Sequence, residues 1–112
     1  MSDPNKILET EFSEPFVQAM RNRMIMSYHK YGPLRNAYPE KVDAIGSLRD
    51  RLSKYAATGN TEFLVDAANF AMIEYLRPRH PHAHFRSTDD DESPGRRSLS
   101  TGRPDKRRND EL

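Results

Sequence analysis

Apolar residues recur with the period of a helix in three stretches of this chain, and no stretch alternates with the period of a strand. The first stretch is 14–31. Phe16, Val17, Met20, Met24, Tyr28 and Tyr31 fall within one third of a helical circumference. Ser13 reads as its N-cap, Glu14 suits the positive end of the helix dipole, and Pro15 is tolerated in a first turn. Gly32-Pro33 ends it. A second helix is predicted over 39–58, opening on Pro39, with a core stripe of Ala44, Ile45, Leu48, Leu52, Tyr55 and Ala56. Asp43, Ser47, Asp50 and Lys54 mark its wet side. Gly46 costs a helix about 1 kcal/mol relative to Ala, so it signals either close approach by another element or a tolerated surface position. Thr58-Gly59-Asn60 is a compact joint in which Gly59 takes a left-handed cap and Asn60 caps a third helix over 61–76. A loop this short makes the second and third helices antiparallel neighbours, and Pro78 ends the third.

The third helix is apolar almost all the way round, and into it are set Glu62, Asp66 and Asn69 at i, i+4, i+7, on one stripe. Buried carboxylates are costly unless a cation or a metal answers them. In the structural reading Arg49, at the edge of the second stripe, pairs with Asp66, Glu62 gains from the helix dipole, and Asn69 bonds a loop carbonyl. In the ligand-binding reading Glu62 and Asp66, with Asn69 beside them, hold Mg²⁺ and through it a phosphate, which His29, Lys30, Arg35 or Arg49 would meet. The structural reading is preferred, because two carboxylates and an amide make an incomplete metal shell. A second set of metal ligands is His80, His82 and His84, which would point one way in an extended segment held by Pro81 and suit Zn²⁺ or Ni²⁺. It is the less favoured set, since no scaffold fixes it.

Length allows one domain at most. We expect a small helical domain over 1–86 and a disordered charged tail over 87–112, whose Ser, Pro, Gly and charge cannot offset the entropy of ordering. Residues 1–86 carry 12 Lys or Arg against 10 acids, too even a balance for a protein living on nucleic acid. The chain has no Cys, which excludes disulfides, thiolate zinc sites and cysteine nucleophiles. No apolar run approaches the ~20 residues of a membrane span, and the first residues lack a signal-peptide layout, so a soluble cytoplasmic protein is expected. The architecture expected is an all-α three-helix bundle with an extended C-terminal segment. Two helices cannot cover so apolar a third, which predicts a homodimer, with Ile7, Leu8, Phe12 and Phe85 as the alternative cover.

Catalytic signals are thin. Ser27 and His29 are two apart on a helix and do not face each other, and the five Gly are scattered singly rather than gathered in a phosphate loop. The third helix has no Lys or Arg with which to read bases. Acids spaced along the helices of a small all-α fold resemble the MazG-like nucleoside triphosphate pyrophosphohydrolases, whose sites use an E-x-x-E pair on one helix and an E-x-x-D pair on another. Here Glu62 and Asp66 are four apart and the first helix has Glu14 as its only acid. That resemblance implies, as the alternative function, a divergent Mg²⁺-dependent nucleotide hydrolase or a nucleotide-binding module. A broader resemblance rests on Lys30-Tyr31-Gly32, Leu52 to Tyr55, Thr58 to Glu62, Val65-Asp66, Asn69, Met72-Ile73-Glu74, His80-Pro81, Ala83-His84-Phe85 and Ser93-Pro94-Gly95. Along these residues the chain resembles small uncharacterised all-α proteins of actinobacteria and actinobacteriophages. The function expected is a small non-catalytic helical accessory or interaction protein with a protein partner.

Overall fold

The computed structural model describes residues 3–88. Among them the chain forms four α-helices and one short 3₁₀ turn: α1 (Pro4–Glu11), α2 (Glu14–Tyr31), the 3₁₀ turn Leu34–Asn36, α3 (Ala44–Thr58) and α4 (Glu62–Leu76). The all-α expectation stands, and the expected three-helix count is corrected to four. The added helix is α1, which begins with Asp3 accepting a hydrogen bond from the Asn5 amide at 3.1 Å and with proline in its first turn. It is eight residues long and buries none of them, so it has too few apolar positions to show a period. Among the described residues no helix is long and apolar enough to cross a membrane. All but the first two residues of the expected disordered tail, 87–112, lie outside the described residues.

The caps of α2 are those its sequence calls for. Ser13 Oγ accepts from the Phe16 amide at 3.0 Å, and Gly32, at φ 86°, closes the other end with its amide on the Tyr28 carbonyl at 2.7 Å. The α3–α4 joint keeps its expected residues, although α4 starts at Glu62 with Thr61 in the N-cap position, one residue later than expected. Gly59 is left-handed at φ 75°, and Asn60 Oδ1 accepts from the Glu62 amide at 3.0 Å. The start of α3 is not the expected one. It begins at Ala44, not Pro39, because Asp43 offers a far better cap than Tyr38: its carboxylate accepts the Gly46 amide at 3.0 Å. Residues 37–42 form turns instead, with a cis peptide at Tyr38-Pro39.

Helix α4 is central. It packs along α3 and against α2, whereas α2 and α3 scarcely touch one another. Among the described residues the buried side chains are Ala44, Val65, Ala67, Ile73 and Asn69, and no large side chain is fully sealed. Burying Ile73 contributes about 2 kcal/mol, and nothing else in this set matches it except Val65. Of the side chains expected as alternative cover, Ile7, Leu8 and Phe12 are about half exposed and Phe85 almost wholly so.

Candidate functional site

The polar stripe of α4 sits at its contact with α2. Glu62, Asp66, Asn69 and Ile73 follow i, i+4, i+7, i+11, and α2 presents Phe16, Met20, Arg23 and Ser27 at the same spacing, all of them partly buried. Arg23 joins the two rows. Its Nη1 donates to Glu62 at 2.9 Å, its Nε to Asp66 Oδ1 at 3.2 Å, and its Nη2 to Asp66 Oδ2 at 3.4 Å. One turn further along, Asn69 Nδ2 donates to the Met20 carbonyl at 3.1 Å. Asn69 is 5 % exposed, and its Oδ1 is buried with no hydrogen-bond partner among the described residues.

The second cation comes from α3. Arg51 Nε lies 3.6 Å from Asp66 Oδ2, and its guanidinium stands 5.3 Å from the centre of the Phe70 ring. Its Nη1 also reaches Asp50 at 2.8 Å, and Lys54 meets the same carboxylate at 3.1 Å. The Lys54 hydrogen bond, with Arg51 adding to it, holds the Asp50 carboxyl below its usual range although partial desolvation opposes the shift. Arg51 also opposes the burial that pushes the Tyr38 phenol up. Asp66, whose side chain is 14 % exposed, therefore has both oxygens engaged by guanidinium groups from two different helices.

The expected partner, Arg49, is exposed on α3 and is not the residue that answers Asp66. Two positions on a helix are about 200° apart, so Arg49 and Arg51 face nearly opposite ways. The stripe that α3 turns to α4 is Ala44, Leu48, Arg51 and Tyr55, while Leu52 and Ala56 of the expected stripe are exposed. The heptad spacing of 44, 48, 51 and 55 was present as a signal, but a charged residue occupies its centre. Arg23 holds the same place in the row Phe16, Met20, Arg23 and Ser27, which the more apolar stripe through Met24, Tyr28 and Tyr31 masks. Asn69 meets a helix carbonyl, that of Met20, rather than a loop carbonyl.

The other expected ligands lie elsewhere. His29 and Lys30 are exposed near the end of α2, about 9 Å along the helix from Arg23, with the Lys30 ammonium 5.7 Å from the centre of the Tyr31 ring. His29 borders a concavity of about 400 Å³ lined mainly by Met24, Ile25, Tyr28, Gly32 and Leu34. The histidine segment does not run extended. It turns at residues 81–82, where the His82 amide donates to His80 Nδ1 at 2.9 Å and the Ala83 amide to the His80 carbonyl at 3.2 Å. Glu74 holds the start of this segment by accepting the Arg79 amide at 2.8 Å, and Arg77 Nε donates to the Tyr38 carbonyl at 2.9 Å. Among the described residues no three side chains from His, Asp or Glu gather as a metal ion would need, which includes His80, His82 and His84. Comparison with family models, curated proteins and solved structures finds no match to this chain.

Proposed function

We propose that this chain is a small helical interaction protein without catalysis of its own, which forms a homodimer and engages a protein partner in the cytoplasm. Its kinship would be with the small helical proteins of actinobacteria and their phages. The observation that carries the reading is the seating of Arg23 on Asp66 and Glu62. That contact supports reading the acid stripe as a clasp between helices. Beyond that contact the second half of α2 leaves Ile25, Met26, Tyr28 and Tyr31 more than half exposed. Exposed apolar groups this close together are costly in a free monomer and useful in an interface.

Sedimentation equilibrium across micromolar concentrations tests the dimer, and a monomer throughout would overturn it. Screening nucleoside triphosphates with Mg²⁺ tests the absence of catalysis. Turnover that depends on the metal and disappears in Asp66→Ala would return the stripe to the nucleotide-hydrolase reading.

A further inference from the structure

Charge is segregated along the first third of the chain in a way that the internal contacts do not use. Around α1, residues 3–14 carry Asp3, Glu9, Glu11 and Glu14 against the single cation Lys6. From 15 to 39 there is no acid, while Arg21, Arg23, Lys30 and Arg35 are all basic and His29 stands among them. Of these cations Arg23 is engaged within the fold, and Arg21, Lys30 and Arg35 are exposed. Apolar groups accompany both charges. Ile7, Leu8 and Phe12 are about half exposed at the acidic end, and Ile25, Tyr28 and Tyr31 are more than half exposed at the basic end, beside the concavity of about 400 Å³.

These two surfaces cannot meet within one chain. Helix α2 is about 27 Å long, and α1, about 12 Å long, is joined to its beginning by Phe12 and Ser13 alone. Folded back along α2, α1 would stop near its middle, short of Tyr28 and Leu34. A second copy has no such limit. When two α2 helices run antiparallel about a two-fold axis, each α1 lies against the far end of the partner's α2, and the acid-to-base contact is made twice.

We propose that the apolar concavity at the end of α2 is the seat for α1 of a second copy, in an antiparallel pairing of α2 helices held in register by charge. Ile7, Leu8 and Phe12 would supply the apolar anchors in the manner of a helix in a groove, with Glu9 and Glu11 facing Lys30 and Arg35. This inference rests on the homodimer reading and specifies its geometry.

The chain lacks Cys, so single cysteines can report the pairing directly. Leu8→Cys and Tyr28→Cys, mixed and oxidised, should form a disulfide-linked dimer, while either variant alone should stay largely unlinked. The double reversal Glu9→Lys with Glu11→Lys should weaken the dimer by about tenfold at low salt, and adding Lys30→Glu with Arg35→Glu should restore it. All of these positions are exposed, and helicity by circular dichroism checks that each variant folds. A sedimenting dimer with no mixed cross-link, or with cross-links in the single variants instead, would overturn the seating and leave the α2 face to a different partner. A monomer at every concentration would overturn this inference together with the dimer reading.

Discussion

Asp66 is the residue on which the α2–α4 and α3–α4 contacts converge, and its replacement separates the two readings of the stripe by sign. Both guanidinium partners keep access to water, at 40 % exposure for Arg23 and 29 % for Arg51. Losing Asp66 therefore does not strand two buried charges, and the cost falls below the 3–5 kcal/mol of a fully buried pair. Asp66→Ala should lower unfolding free energy by about 2 kcal/mol in a urea titration. A carboxylate pair kept open for a metal would behave oppositely, since removing Asp66 would relieve its repulsion with Glu62. Gly46 offers a second residue-scale test. A Cβ there would stand 2.6 Å from Asp43 Oδ2, so the close approach is made by the helix's own N-cap and not by another element. Gly46→Ala should forfeit the helix-propensity gain of about 1 kcal/mol in the native chain and recover it in an Asp43→Ala background. A full gain in the native background would show that the cap side chain moves away without cost.

At the scale of elements, α2 is rotated from the setting its apolar stripe implies. That stripe centres between Phe16 and Tyr28, yet the face turned to α4 is centred between Met20 and Arg23, a difference of roughly 50° at 100° per residue. Arg23 is held by two carboxylates, and because Glu62, the first residue of α4, already meets it, Tyr28 and Tyr31 lie past the start of α4 and stay exposed. Protection should follow this hierarchy of packing. In dilute, monomeric protein, amide exchange should be slowest in α3 and α4, faster in α2, and fastest in α1, which has no buried residue and is too short to be stable as an isolated helix. If α1 exchanged as slowly as α4 in the monomer, its packing would have to be far closer than its exposure indicates.

For the whole molecule the decisive quantity is how little is sealed. Ala44, Val65, Ala67 and Ile73 are a small apolar core for a domain of this length, and eleven large hydrophobic side chains remain exposed among the described residues. A domain built this way gains stability by association, and that gain depends on concentration. The melting temperature should rise by about 3 °C or more for each tenfold increase in protein concentration. A melting temperature independent of concentration would mean that the monomer is stable with its apolar side in water.

The features legible in the amino-acid order are those decided within a few residues. Ser13, Gly32, Gly59 and Asn60 act on their own neighbours, and the boundaries they set are observed to within one residue. Local competition also explains the start of α3, where a capping Asp43 prevails over a first-turn Pro39, although it was not anticipated. Helix α1 carried a readable cap and no readable period, because eight residues hold too few apolar positions to define a face. That Asp66 would be met by a cation was legible from its apolar surroundings. Which cation met it was not, because the answer depends on how each helix turns about its own axis. Arg23 and Arg51 reach Asp66 only after α2 and α3 have set those rotations against α4, and how far α2 runs past the start of α4 decides that Tyr28 and Tyr31 are left exposed.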